Sequence, residues 1–260
     1  MSTSSITAQT AFKATSKVTL RLVLAIAIWP LLILIFSQET WWQALLQPLA
    51  SSGQTVLYER ITLLQAAASH ATIVLSAMLG VIVIAVPLAI GVTREEGKPF
   101  LPIVTNITTV AQTLPPVAVL FLFLPVVGFG IKAIIFALFI YGLMPTIQGT
   151  LLGLQSVDQQ TIDAAKGIGM SKRESLFKVE LPLALPAILS GIRTSLVLIV
   201  ATAALAPLVG GDSLGTPIIA GFSVNNSTQV LEGALAVALV AIASDFSMRT
   251  LEKYFTTWRS

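Results

Sequence analysis

The sequence contains no cysteine and a single histidine, His70. Disulfides and thiolate metal sites are therefore excluded, and any nucleophile–His–acid set would have to be built around His70 alone. Charge is scarce too. Asp, Glu, Lys and Arg make up 10% of the 260 residues, against about 25% in soluble domains. The deficit is filled by apolar residues, at 55% of the chain, and the mean hydropathy is +0.88. Such a chain reads as a polytopic membrane protein with no room for a sizeable soluble domain between its spans. The formal charge of +3 does not point to nucleic acid, because the positions of the basic residues explain it better.

Residues 1–17 are polar, carry Lys13 and Lys17, and are expected to form a mobile tail. The first apolar run, 18–36, can span a bilayer, and no small-x-small cleavage pattern follows it, so it reads as an uncleaved helix. Residues 38–67 carry Trp41, Trp42 and Tyr58, expected as interfacial anchors on the far side. A second span covers 69–92, with His70 expected as a polar residue at its outer edge. A third apolar stretch, 101–127, is interrupted by Gln112, Thr113, Leu114, Pro115 and Pro116. Two adjacent prolines remove two backbone donors and break a straight helix. In lipid such a break survives only where protein or a water-filled cavity covers it, which places 112–116 inside the bundle beside a pathway. A tight turn at Gly128–Gly130 leads into a fourth span, 131–154, with a second weak point at Tyr141, Gly142 and Pro145. The fifth span, 183–209, contains Arg193, expected to snorkel or to brace the neighbouring loop. The sixth, 230–248, ends near Asp245.

Between the fourth and fifth spans lies the most polar internal segment, SVDQQTIDAAKGIGMSKRESLFKVELP (156–182). Ser156 or Asp158 can cap a first short helix, Gly167 and Gly169 favour a turn, and Ser171 with Glu174 reads as a capping box opening a second helix. With six spans and a cytoplasmic N-terminus, twelve Lys and Arg lie inside, Arg60 and Lys132 lie outside, and Arg193 lies within a span. That bias is a strong positive-inside signal, and it places both termini and the polar loop in the cytoplasm. The loop then forms a protrusion suited to docking a soluble partner.

The loop also has a spaced pattern: Asp163, Ala164, Ala165, three residues, Gly169, nine residues, Val179, one residue, Leu181 and Pro182. It resembles the EAA loop of permeases in ATP-binding-cassette (ABC) importers, with Asp for Glu and Val for Ile. Further stretches resemble the permeases that import glycine betaine, choline or carnitine: AQTLPPVAVLFLFLPVVGFG (111–130), YGLMPTIQGTLLGLQSVD (141–158), GIRTS (191–195) and GDSLGTPIIAGF (211–222). The resemblance implies an all-α, type I importer permease (MetI-like) fold of six transmembrane helices. The chain then divides into a cytoplasmic tail (1–17), a first transmembrane helix with an external segment (18–68), a permease core (69–250) holding the coupling loop (155–182), and a second tail (251–260). It further implies an ABC ATPase subunit, a second permease copy or sister permease, and an external solute-binding protein as partners.

No Walker A sequence is present. The nearest match, residues 91–99, has one residue too many between its glycines and Pro99 where a magnesium-binding hydroxyl belongs. ATP hydrolysis is therefore expected on a separate chain, with no cofactor on this one. Gln112, Thr113, Pro115, Pro116 and Tyr141 are expected to line the pathway, with Phe121, Phe123, Phe136 and Phe139 as further candidates. A permease for another small solute, such as an amino acid or sulfonate, shares the loop motif. An ion-coupled secondary transporter would need embedded carboxylates or a His relay and an internal repeat, none of which stands out. A membrane enzyme would need a polar catalytic cluster.

Overall fold

A computed structural model describes the backbone of residues 3–256 and the side chains of residues 19–255. Residues 257–260 of the C-terminal tail, and the side chains of Lys13 and Lys17, lie outside those described. All regular structure among the described residues is helical. The helices are α1 (Thr3–Ser37), α2 (Glu39–Leu46), α3 (Leu63–Thr93), α4 (Leu101–Ala111), α5 (Pro116–Val127), α6 (Ile131–Gln155), α7 (Gln159–Gly167), α8 (Lys172–Ser175), α9 (Leu181–Ala203), α10 (Thr216–Ser223) and α11 (Ser227–Thr256). The backbone of α1 is helical from Thr3, through the residues expected as a tail; its span-length apolar part is Thr19–Ser37.

Five helical stretches are long and apolar enough to cross a membrane, and α4 with α5 forms a bent pair turned through 108°. The bend has a local cause. Pro115 and Pro116 cannot donate to the preceding turn, and a residue before proline is pushed to extended geometry. Pro115 accordingly sits at ψ 137° and Pro116 opens α5 as its first residue, where the missing N–H costs nothing. The pair still connects opposite ends of the bundle. Glu95, just before α4, pairs with Lys172 at the polar loop, whereas the Gly130 N–H just after α5 donates to Val209 O beyond the far end of α9.

α6 lies at the centre, packed on α3 and α9. On α3 the residues Ile73, Ala77, Val81, Ala85 and Ala89 are fully buried, a four-residue repeat that forms one helix face. They meet Ile134 and Leu138 of α6 and Ile199, Val200 and Ala203 of α9. The α6–α9 contact is close enough to require glycine: a Cβ on Gly149 would lie 2.7 Å from Gly191 Cα, and one on Gly191 would lie 2.7 Å from Pro145 O. Small residues at helix crossings let backbones approach where lipid supplies no hydrophobic drive. Between the same helices the Ser195 hydroxyl donates to Gly142 O (2.6 Å), leaving the Thr146 hydroxyl to donate to Ser195 Oγ (2.8 Å). Helix α6 runs unbroken through Tyr141, Gly142 and Pro145, so this segment does not interrupt the helix.

Two further expectations change. Trp42 is no interfacial anchor. It is buried against Phe36 with its indole N–H donating to Ile35 O at 3.0 Å, while Trp41 is exposed. His70, seven residues into α3, is buried within the bundle at 1% exposure, and neither ring nitrogen hydrogen-bonds a described residue.

Candidate functional site: a polar loop and an uncharged cavity

The polar loop folds as a helix, a glycine turn, and a second helix that continues into the fifth span. α7 begins after Asp158, whose side chain makes no capping hydrogen bond. The Ser156 hydroxyl donates back to Gly153 O instead (2.8 Å), so neither residue caps α7. The end of α7 is specified more tightly. Met170 N–H donates to Ala165 O and Gly169 N–H to Lys166 O, the paired bonds of a Schellman motif with Gly169 at the left-handed position. Its φ is +85°. Ser171 then opens α8 with a reciprocal capping box: its hydroxyl accepts the Glu174 N–H (3.2 Å), and Glu174 accepts the Ser171 N–H (3.1 Å). That helix is not a short one. It passes through one π-helical turn, Leu176–Glu180, and runs on as α9.

The motif residues divide by exposure. Ala165 is buried at 5%, while Asp163, Ala164 and Gly169 are exposed, and Val179, Leu181 and Pro182 are half-buried where the loop joins the bundle. Ile168 and Phe177 are large apolar side chains standing open on an otherwise polar protrusion, as a docking face requires. Asp163 Oδ1 accepts from Gln159 Nε2 (3.0 Å) and from Lys166 Nζ (3.1 Å). Those bonds, Gln159's first, hold the Asp163 carboxyl below its ordinary range. The stabilisation from a lowered carboxylate is present above its ordinary pKa and lost only as pH falls through the lowered one. Asp163 is therefore charged throughout pH 5–8. Asp163→Lys should cut co-purification of a docked ATPase severalfold without reducing the amount of chain in the membrane; unchanged recovery would remove Asp163 from the docking face.

The loop is also anchored by residues outside the motif positions. Glu180, which occupies the free position between Val179 and Leu181, is 6% exposed. It accepts from Arg94 Nη1 (2.8 Å) and from the Ser175 hydroxyl (3.2 Å). Arg94 caps the end of α3, so the pair ties the loop to the second span. Glu95 next to it pairs with Lys172, which holds the Glu95 carboxyl below its ordinary range.

A cavity of about 540 Å³ lies along α6 and α9, within the usual range for small-molecule sites. Tyr141, Pro145, Gln148 and Leu152 supply one helix face, Ser190, Gly191 and Thr194 the facing one, and Gln112 also lines it. Its polar groups are uncharged amides and hydroxyls. Of the candidate pathway residues, Gln112 and Tyr141 line this cavity. Thr113 and Pro115 are exposed and Pro116 half-buried, and none of the three lines it. The break at 112–116 thus lies mostly on the surface of the single chain, not inside its bundle. Phe123 stacks edge-on against Phe136 (5.2 Å between centroids), which adjoins Phe139 (6.3 Å). These rings and Phe121 do not line the cavity.

Arg193 finds partners on α11: Asp245 at 3.3 Å and Glu252 at 3.2 Å, with Asp245 also held by Arg249 at 2.8 Å. The charge braces α9 against α11 and not the loop. Among the described residues no group of three or more His, Cys, Asp or Glu is placed to hold a metal.

Comparison with known proteins places the chain. Residues 82–257 match the model of the family described as binding-protein-dependent transport system inner membrane component. The choline transport system permease protein OpuBB of Bacillus subtilis is 34% identical over 82% of this chain and 94% of its own length. The glycine betaine/carnitine/choline transport system permease protein OpuCB of Bacillus subtilis is 36% identical over 80% of this chain and 92% of its own. The osmoprotectant import permease protein OsmY of Salmonella typhimurium is 38% identical over 74% and 81% respectively. Among solved structures, a chain of the MetNI methionine ABC transporter in inward-facing form aligns with a TM-score of 0.65 at 18% identity. That alignment covers 74% of this chain and 94% of the other, and it establishes the shared fold.

Proposed function

This chain belongs to the family of binding-protein-dependent transport system inner membrane components, and from that premise we propose that it forms the translocation pathway for a small osmoprotectant such as glycine betaine, choline or carnitine. As a permease subunit of an ABC importer it is a multi-pass inner-membrane protein and leaves ATP hydrolysis to a separate subunit. It works with that ATPase and with a solute-binding protein. The substrate class rests on the likeness, over 82% and 80% of this chain, to relatives named for these solutes. The chain carries no cofactor of its own.

The bundle lies with both termini and the 156–182 loop in the cytoplasm, a reading supported by the positive-inside count. The loop seats on the ATPase through Ala164, Ile168 and Phe177, and closure of two ATPases draws two such loops together. A second permease copy, or a sister permease, covers the exposed break at 112–115 and completes the cavity walled here by α6 and α9. Uncharged lining suits a solute that must pass: a zwitterion or a monocation finds hydrogen-bonding groups along the wall but no fixed charge to trap it.

The test is uptake of radiolabelled glycine betaine and choline by cells carrying this chain with its ATPase and binding protein, with and without an osmotic upshift. Uptake that needs both ATP and the binding protein is the expected result. Co-purification of the ATPase with no uptake of either solute would keep the importer and discard the osmoprotectant in favour of an amino acid or sulfonate.

A further inference from the structure

A second, smaller cavity, of 180 Å³, lies at the end of the bundle opposite the polar loop. It is formed by α2, the segment leading into α3, and the second turn of α11. Three acidic residues line it, Glu39, Glu59 and Glu232, together with Trp42 and Tyr58. Glu39 and Glu59 are exposed at the rim, whereas Glu232 is 3% exposed at the floor. One oxygen of Glu232 accepts the Tyr58 backbone N–H at 2.9 Å. The other accepts no hydrogen bond from any described residue and is not sealed from the cavity. None of the ion pairs among the described residues includes Glu39, Glu59 or Glu232. Arg60, the adjacent base, is exposed and forms no ion pair there either.

A carboxyl group held out of water with one neutral donor is stabilised either by a proton or by a cation, and the lining decides what kind of cation fits. A bare metal ion needs several oxygens around it, and no group of three metal-ligating side chains exists among the described residues. Much of the wall is carbon: the Trp42 ring, whose N–H is already used by Ile35 O, with Leu57, Ile61 and Leu63. The volume equals that of about six waters at roughly 30 Å³ each, too large for an ion and right for a small organic group. Aromatic faces beside a carboxylate attract ammonium groups that carry their own methyl coat.

We propose that Glu232, Trp42 and Tyr58 form a binding site for an alkylammonium group, separate from the α6–α9 cavity. The group can belong to a free solute or to a lipid headgroup, since the cavity sits at the ends of the spans.

Binding of tetramethylammonium and of choline to the purified permease–ATPase complex, without binding protein, tests the site. Calorimetry in nanodiscs of phosphatidylglycerol alone should show saturable binding of both, weakened at least tenfold in Glu232→Gln. Glycine betaine, which brings its own carboxylate, should bind more weakly than choline. The same titration in discs containing phosphatidylethanolamine separates the sources: weakened binding there assigns the site to the headgroup, and equal binding assigns it to the free solute. Should Glu232→Gln fail to fold, the rim double variant Glu39→Gln/Glu59→Gln should still weaken binding two- to threefold. No binding in either disc, or binding that Glu232→Gln or the rim variant leaves unchanged, overturns the proposal. Because no uptake is measured, failure here leaves the transport reading standing, and failure of uptake leaves this site standing.

Discussion

Gly169→Val should lower uptake at least tenfold while leaving the chain inserted at its normal level. Gly169 occupies the left-handed position of the turn between α7 and α8, at φ +85°. A side chain with a branched Cβ is poorly tolerated in that conformation, at a cost of about 1–2 kcal/mol. Nothing within 4 Å would meet an added Cβ, so the chain itself offers no steric objection. The damage is to the backbone, and it has two consequences. Without the positive φ, the bonds from Met170 to Ala165 and from Gly169 to Lys166 cannot both form. The angle between α7 and the Ser171 capping box then changes, and with it the surface presented by Ala164, Ile168 and Phe177. The bundle does not depend on this turn, so insertion survives. The series is graded: Gly169→Asn should be mildest, because Asn visits the left-handed region, Gly169→Ala intermediate and Gly169→Val worst. Uptake and binding-protein-stimulated ATPase activity, measured on the same membranes, should fall in that order. Equal loss in Asn and Val variants would mean that space against the ATPase matters and the backbone angle does not.

Much of this site was legible in the sequence for reasons that can be traced. A capping box involves residues three apart, so Ser171 and Glu174 declare themselves. Adjacent prolines break a helix whatever surrounds them, so the interruption at 112–116 was visible, although its exposure was not. Exposure depends on which neighbours a single chain supplies, and no local pattern encodes that. The cavity wall had a signal too: Tyr141, Pro145, Gln148 and Leu152 recur at helical spacing, as do Ala187, Ser190, Thr194 and Leu198. Polar residues at one face of an apolar span are a pathway signature, weaker in a single sequence than the prolines and aromatics beside it. Partners far apart in sequence were out of reach. Arg193 meets Asp245 and Glu252 on another helix, and nothing within either segment marks the pair. Trp42 shows the same limit, since an aromatic at a span end reads as an anchor until Phe36 is known to lie against it. Glu232 was missed because one carboxylate near a span end resembles a boundary residue; only its burial under Tyr58 separates the two cases.

Arg94→Ala should disrupt the loop more than Glu180→Gln, although both remove the same ion pair. The asymmetry follows from burial. The Glu180 side chain is 7% exposed and that of Arg94 is 35% exposed. Deleting Arg94 leaves a buried carboxylate with only the Ser175 hydroxyl. Stranding one member of a fully buried pair costs about 3–5 kcal/mol, and solvent access from the Arg94 side reduces that to roughly 2 kcal/mol. Deleting the charge on Glu180 strands nothing comparable. Gln can still accept from Ser175, and a guanidinium one-third exposed is rehydrated and keeps its bonds to Thr93 Oγ1; a loss of about 1 kcal/mol is expected. The double variant Arg94→Ala/Glu180→Gln should therefore be milder than Arg94→Ala alone, as in a cycle where one charge is costly only because the other is missing. The location makes the difference functional. Glu180 lies in the π-helical turn where α8 runs on into α9, and Arg94 ends α3, so losing the pair is expected to shift the loop relative to both helices. ATPase co-purification and protease protection of the loop should both rank wild type, Glu180→Gln, the double variant, then Arg94→Ala. A double variant as defective as Arg94→Ala would assign the role to Arg94 itself, through contact with the ATPase, and would remove the pair from the coupling route.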